Sequence, residues 1–181
     1  MTAQSALLKS IVSTARLIFA ARAASLFLYV EDTDELEFAA VAGYGEDELP
    51  GTRLPAGHGI TGWVFTTGEP LVLDDVSTDP RFAHDFAAGT GYVPKGMMAF
   101  PLLYEGDVSG VLSVLDREAS FSLAEMELLG QFATQAAIAL EVVRSGERGT
   151  LAPELARLVE RLQAKGKTGL ALAAALADAL D

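Results

Sequence analysis

The segment from Ser122 to Arg144 restricts the possible folds of this chain more than any other, because it combines a well-defined helix start with two apolar faces. Ser122 and Glu125 form a capping box, in which the side chain of each residue accepts a hydrogen bond from the backbone N–H of the other. One apolar stripe is expected to lie on a sheet, whereas a second stripe, interrupted by Gln131 and Gln135, faces elsewhere. A helix that is apolar on two sides needs two partners. The sheet-facing stripe is Met126, Leu129, Ala133, Ala137 and Leu140, and the outer stripe is Leu128, Phe132, Ile138 and Val142.

The residues before this helix show one helical pattern and two pairs of β-type patterns. Apolar residues at three- and four-residue spacing predict a first helix over 7–19, and apolar or β-branched runs predict strands over 25–30, 36–42, 97–104 and 108–115. Gly110, inside the last strand, indicates that another group packs closely over it. The order of elements predicts an α+β domain with a central, mainly antiparallel sheet and both terminal helices on one face.

The connecting segments are short and rich in glycine and proline. We expect a loop over 43–55, a short helix over 59–66, a short buried strand over 70–73, a helix beginning at Asp79-Pro80, and a second loop over 87–96. Aspartate suits the cap of a helix and proline its first turn.

Composition excludes several functions. The chain has 13 Lys and Arg, 25 Asp and Glu, and no Cys, so it has no disulfide, thiolate zinc site or thiol nucleophile. All of the net charge of −12 falls on residues 1–145, and nucleic acid and membrane surfaces are not expected as partners of so acidic a body. Because no apolar run is long enough to span a bilayer and the N-terminus lacks the pattern of a signal peptide, we expect a cytoplasmic protein.

Five motifs in order resemble the GAF domain family, over about residues 5–144. They are Gly57-His-Gly-Ile-Thr-Gly-Trp-Val64, Thr67-Gly-Glu-Pro70, Asp75-Val76 with Asp79-Pro-Arg-Phe82, Phe100-Pro-Leu102, and Gly106-Asp-Val-Ser-Gly-Val-Leu112. The resemblance implies a GAF/PAS-like sheet of five or six strands, two helices on one face that often form a dimer bundle, and a small-molecule pocket under short helices and loops on the other. Members sense cyclic nucleotides, bilins, haem, iron or small metabolites, and some only mediate dimerisation.

Departures from the family patterns narrow the expected ligands. Without cysteine, covalent bilin attachment and the cysteine-dependent reduction of methionine sulfoxide are excluded. Cyclic GMP is not the expected ligand, because residues 89–97 lack the Asn-Lys-Phe-Asp-Glu grouping of its binders. No cofactor is expected, although haem and other non-covalent small ligands stay open. The residues Asp74, Asp75, His84 and Asp85 show no metal-ligand spacing, and we expect no metal site and no catalytic residues.

The resemblance places the ligand pocket between the segment 75–92 and the adjoining strand. Met97 and Met98 alternate across that strand, so one of them faces the pocket or both are ordinary core residues. His84 points either into the pocket or into water, and His58 has the simpler explanation of bonding to local backbone. The predicted pocket residues are Asp75, Phe82, His84, Phe86, Tyr92, Met97 and Ala99.

Two outcomes are expected beyond the pocket. The first is a homodimer through the terminal helices, with the interface residues Leu8, Val12, Phe19, Leu128, Phe132, Gln135, Ile138 and Val142. The second concerns residues 146–181, an amphipathic helical tail following the GAF-like domain of residues 1–145. This tail folds back, pairs with a dimer mate or docks on an unidentified protein.

The predicted function is that of a free-standing, non-enzymatic sensor of a small molecule. It signals through the dimeric helix bundle to a partner in trans, since 181 residues leave no room for an output domain. The alternative is a dimerisation or adaptor domain without a ligand.

Overall fold

The helices and strands follow the predicted α+β order. The computed structural model describes residues 3–117 and 122–147, and the chain divides into two units after Leu140. The elements are α1 (Ala3–Ile18), β1 (Ala21–Val30), β2 (Glu35–Gly43), β3 (Arg53–Pro55), α2 (Gly59–Thr67), β4 (Leu71–Leu73), α3 (His84–Gly89), β5 (Met97–Tyr104), β6 (Asp107–Arg117) and α4 (Leu123–Glu147). Short 3-10 helices span Glu31–Thr33 and Val76–Thr78.

The six strands form one sheet in the order β3-β2-β1-β6-β5-β4, and every neighbouring pair is antiparallel. Both predicted hairpins, β1–β2 and β5–β6, are confirmed. The second hairpin turns at Glu105 and Gly106, whose φ angles of 51° and 95° are those of a type I′ turn. Because β1 pairs with β6, the two hairpins meet at the centre of the sheet.

Each face of the sheet carries its own apolar cluster. Leu26 of β1 packs in the cluster beneath α1 and α4, whereas its neighbour Phe27 packs in the cluster beneath α2. This follows from the period of two along a strand, which sends successive side chains to opposite faces. The sheet-facing stripe predicted for α4 is confirmed, with four residues buried and Met126 partly buried against them. The four buried residues are Leu129, Ala133, Ala137 and Leu140.

The position of α1 corrects part of the predicted dimer interface. Leu8, Val12 and Phe19 are at most 5% exposed and lie in the cluster between the sheet and the helices. They fill the core of the chain itself and are not available to a second copy. The reason is that α1 lies on β1 and β2, which cover most of its apolar arc. The large apolar side chains that α1 exposes in the described part of the chain are Leu17 and Ile18 instead.

The outer stripe of α4 remains at the surface. Leu128 and Ile138 are 44% and 38% exposed, and Gln135 is also exposed. Phe132 is only half-buried and leans against the core cluster. Val142, in the second unit, is exposed as well. A role of these residues in dimerisation stays a prediction.

Three of the predicted connecting segments differ from the structure. Asp79 does not start a helix: its carboxylate accepts a hydrogen bond from the Arg81 backbone N–H and binds the Arg81 guanidinium, and α3 begins only at His84. The loop predicted over 87–96 therefore starts inside α3. The loop predicted over 43–55 ends in β3, an edge strand too short to show a periodic pattern. The helix over 59–66 and the strand over 70–73 are confirmed, although β4 is only half-buried.

The C-terminal tail predicted over 146–181 lies, beyond Glu147, outside the described residues, and its boundary at 145/146 stays a prediction. In the part of the chain that is described, no helix combines the length and the apolar character needed to cross a bilayer.

Candidate ligand pocket

A cavity of about 100 Å³ lies between the sheet and the layer formed by α2, α3 and the loops around them. Most of its wall is apolar. The lining residues are Ser25, Phe27, Phe38, Tyr44, Leu49, Leu54, His58, Gly59, Ile60, Thr61, Phe82, Ala83, Phe86, Ala87, Thr90, Tyr92, Pro94, Met97, Ser113 and Leu115. They come from segments far apart in sequence, and the sheet brings them together.

Two serines lie in the floor of the pocket among apolar strand residues. Ser25 of β1 and Ser113 of β6 are cross-strand neighbours, and both are at least 97% buried. The Ser113 hydroxyl donates a long hydrogen bond of 3.5 Å to the Ser25 carbonyl oxygen. The Ser25 hydroxyl has no partner among the described residues. Among the described residues, every polar side-chain atom that solvent cannot reach has a hydrogen-bond partner. The Ser25 hydroxyl has none, so it must be reachable, and it opens onto the cavity that Ser25 lines.

The start of α2 forms a second part of the wall, and three glycines shape it. Gly59 has a φ of +71°, and a Cβ at this position would lie 3.2 Å from the Cβ of Ala83. A Cβ at Gly62 would lie 2.4 Å from the carbonyl carbon of Gly57, so the turn before α2 packs directly on the helix. His58 occupies the N-cap position but makes no capping hydrogen bond with its side chain. The first backbone N–H groups of α2 therefore have no side-chain cap, and they belong to residues that line the pocket.

Aromatic rings make the remaining wall. Phe38 stacks with Phe86 of α3 at a centroid distance of 6.2 Å and contacts Phe27 at 4.1 Å. Tyr44 and Tyr92 stack at 4.6 Å, and this pair joins the loop after β2 to the loop after α3. Such offset contacts add to the free energy gained by burying each ring.

The loop that carries Tyr92 is attached to the end of β6. The Tyr92 hydroxyl donates a hydrogen bond to the Asp116 carboxylate, which also accepts from the backbone N–H groups of Lys95 and Gly96 at 2.7 and 2.8 Å. Burial and this carboxylate raise the pKa of Tyr92 well above its usual value, so the phenol stays protonated and keeps donating. The Tyr44 hydroxyl donates to the Gly91 carbonyl oxygen at 3.1 Å.

Four of the seven predicted pocket residues line the cavity: Phe82, Phe86, Tyr92 and Met97. Met97 is the methionine that faces this side, since Met98 packs beneath the helices. The other three predicted residues do not line it. Asp75 caps the 3-10 helix by accepting from the Ser77 backbone N–H, His84 is exposed and packs edge-on against Phe82, and Ala99 is buried in the surrounding cluster.

Sequence reasoning missed the sheet floor and the start of α2. The signals were present as two serines inside otherwise apolar strands, at Ser25 and Ser113, and as a Gly-x-Gly-x-x-Gly pattern from Gly57 to Gly62 that opens a helix. In other proteins this pattern gives anions access to the first N–H groups of a helix. His58, for which capping of local backbone was the simpler expectation and ligand binding the alternative, lines the pocket.

The pocket offers binding groups without an arranged set of reactive ones. No Lys, Arg, Asp or Glu lines the cavity, and no hydroxyl in its wall is hydrogen-bonded to a histidine in the described part of the chain. Residues 3–117 and 122–147 contain no group of three or more His, Asp or Glu that could hold a metal ion. Its lining suits the binding of a small, largely apolar molecule.

An antiparallel sheet with helices on one face and a pocket on the other is the architecture of solved GAF domains. The family model of the GAF domain matches residues 5–140. The chain therefore belongs to the GAF domain family, whose members occur in sensory and regulatory proteins.

Known proteins agree with this assignment. A probable 3′,5′-cyclic phosphodiesterase of Caenorhabditis elegans is 30% identical over 109 residues, which are 60% of this chain and 15% of that protein. The Nif-specific regulatory protein of Herbaspirillum seropedicae is 28% identical over 149 residues, which are 78% of this chain and 28% of that protein. The chain thus spans less than a third of either relative. The GAF domain of a phosphoenolpyruvate-protein phosphotransferase from Coxiella burnetii shares the fold, with a TM-score of 0.72, 23% identity, and coverage of 81% of this chain and 86% of that one.

Proposed function

We propose that this chain is a non-enzymatic, cytoplasmic regulatory module that binds a small molecule in the pocket beneath α2 and α3. The observation that carries the proposal is a cavity of about 100 Å³ with an apolar wall into which the buried hydroxyl of Ser25 opens without a partner. Because this hydroxyl is accessible from the cavity, it is free to bond to a ligand there. A ligand that makes this bond and fills the apolar space favours the occupied state.

The central strands supply a route from the pocket to the helices. In β1, Ser25 and Phe27 line the pocket while Ala24 and Leu26 pack beneath α1 and α4. A ligand that shifts β1 therefore changes the surface on which both helices rest. Occupancy is then reported as a population shift in the helix pair, which a homodimer mate and a partner protein in trans read out.

Filling the cavity tests this function. Ala87 of α3 lines the pocket and is buried, so Ala87→Phe places a ring where the ligand would lie. We expect native mass spectrometry of the freshly purified protein to show a retained small molecule, and the Ala87→Phe variant to have lost it. Ala88→Phe is the matched control, because Ala88 is the next residue of α3 and is exposed.

The alternative function, a dimerisation or adaptor domain without a ligand, predicts a different result. In that case the wild-type protein carries no bound molecule and shows no mass shift or thermal stabilisation with any member of a metabolite panel. Thermal unfolding of both variants distinguishes a blocked pocket from a misfolded domain, since overpacking a core also lowers stability.

A further inference from the structure

The α2 end of the pocket is rich in hydrogen-bond donors. The first hydrogen bond within the helix runs from the Gly62 N–H to the His58 carbonyl oxygen. The backbone N–H groups of Gly59, Ile60 and Thr61 come before it and have no acceptor within the helix. All three residues line the cavity, and Gly59 presents no side chain to it. The amide dipoles of a helix give its N-terminus a partial positive charge. This end of the pocket therefore favours an anionic group.

A buried hydroxyl beside these N–H groups also lacks a partner. Thr61 is 93% buried, and its hydroxyl makes no hydrogen bond within the described part of the chain. This hydroxyl is accessible, since the inaccessible polar side-chain atoms there all have partners, and Thr61 lines the cavity, as Ser25 does. The helix start and the Thr61 hydroxyl thus point independently to one polar ligand group at this place.

The rest of the cavity limits what that group is attached to. The opposite wall is made of aromatic and aliphatic side chains such as Phe38, Phe86 and Met97, with no charged side chain in it. A second charge on the ligand would be desolvated there without compensation. The cavity of about 100 Å³ is comparable to the roughly 150 Å³ apolar cavity that takes up benzene in an engineered protein. The body of the ligand is therefore about the size of one aromatic ring.

We propose that the ligand is a monocarboxylate with a compact apolar body, whose carboxylate binds the N-terminus of α2 and the Thr61 hydroxyl. This rests on the proposed function, because it names the class of molecule that the pocket binds. The carboxylate accepts hydrogen bonds from the first turn of α2, and the ring or branched chain lies between Phe38, Phe86 and Met97.

A matched series of probes tests the class of ligand. Isothermal titration of the full chain with phenylacetate, phenylacetamide and toluene varies the head group and keeps the ring. We expect phenylacetate to bind at least about tenfold more tightly than phenylacetamide, because bonds to a charged acceptor are stronger than bonds to a neutral one. Toluene is expected to bind more weakly than phenylacetate.

Variants of α2 test the place of binding. We expect Thr61→Val to weaken phenylacetate binding about tenfold or more and to leave toluene binding unchanged, whereas Thr61→Ser retains phenylacetate binding. Thr66→Val is the control, because the Thr66 hydroxyl bonds to the Gly62 carbonyl oxygen on the exposed side of the same helix.

The experiments distinguish a wrong ligand class from a wrong function. Equal binding of all three probes, or an unchanged affinity of Thr61→Val for phenylacetate, overturns the carboxylate assignment while the pocket still binds a ligand. If none of the three binds but the purified protein carries a molecule that Ala87→Phe loses, the ligand class is wrong and the sensing function stands. If the pocket is empty and binds nothing, both fail.

Discussion

At the scale of single residues, Gly110 shows how closely the two central strands approach. A Cβ at this position would lie 2.0 Å from the carbonyl oxygen of Phe27, next to the register shift between Leu26 and Phe27. No real Cβ tolerates such a contact, so β1 and β6 can pair here only with glycine. The prediction that a group packs closely over Gly110 is confirmed, and that group is the backbone of the neighbouring strand.

Replacing this glycine is therefore expected to be costly. Gly110→Ala should lower the free energy of unfolding by about 2–3 kcal/mol, because the two strands must separate or the backbone must shift. Urea denaturation measures the change. Gly57→Ala is the control: its Cβ would meet no atom within 4 Å, and it should change stability by no more than about 1 kcal/mol. Equal stability of the two variants would contradict the close approach.

At the scale of elements, the start of α4 is held by the predicted capping box. The Glu125 carboxylate accepts hydrogen bonds from the Ser122 hydroxyl at 2.5 Å and the Ser122 backbone N–H at 3.0 Å, and the Ser122 hydroxyl accepts from the Glu125 N–H at 3.3 Å. The Arg117 guanidinium also binds this carboxylate, which joins the end of β6 to the start of α4. The bonds from Ser122 and the pairing with Arg117 lower the pKa of Glu125 from 4.5 to about 2.

This lowered pKa predicts how stability depends on pH. The ionised carboxylate stabilises the fold fully above pH 4.5, and its contribution is lost as the pH falls through about 2. Glu125→Gln should therefore have a lower melting temperature than wild type near neutral pH, and the difference should shrink on acidification across that window. Thermal unfolding followed by circular dichroism at a series of pH values measures this. A Glu127→Gln control should follow wild type, and a difference independent of pH would show that the charge of Glu125 is not involved.

At the scale of the whole molecule, one sheet supports both ligand binding and dimerisation, the two functions that we propose. One face supports the pocket, and the other carries α1 and α4, whose outer surfaces retain exposed apolar side chains such as Ile18, Leu128 and Ile138. Leu128 and Ile138 lie on the outer side of one helix, and exposed apolar side chains that form a patch favour contact with another protein. The proposed homodimer uses the outer stripe of α4, without the α1 residues Leu8, Val12 and Phe19 that the core contains.

The dimer prediction is tested on α4. Leu128→Glu places a charge in the outer stripe without disturbing the core, since Leu128 is exposed, whereas Phe132 leans on the core and is a poorer probe. We expect sedimentation to give a dimer for wild type and a monomer for Leu128→Glu, because burying an unpaired carboxylate in an interface is costly. Ala88→Glu adds the same charge at an exposed position of α3, on the other side of the sheet from α4, and should remain dimeric. An unchanged mass for Leu128→Glu would remove this stripe from the interface.

The sequence by itself determined the elements whose chemistry is local. The periodicity of α1 and α4, the capping box at Ser122 and the two hairpins depend on residues within a few positions of one another, so they could be predicted without the fold. The motifs that resemble the GAF family predicted how these elements are arranged, with the helices on one face of the sheet and the pocket on the other. The segment after Asp79 shows the limit of local signals, because its carboxylate bonds to Arg81 and no helix follows until His84.

Only the tertiary structure decided which residues share the pocket and which share the core. Ser25, Thr61 and Ser113 meet at one cavity because β1 and β6 pair and α2 folds over them, although no local pattern links these three positions. Val12 and Phe19 belong to the core because β1 and β2 pass beneath α1. Burial depends on what lies opposite a side chain, and that is set by contacts between residues far apart in the sequence.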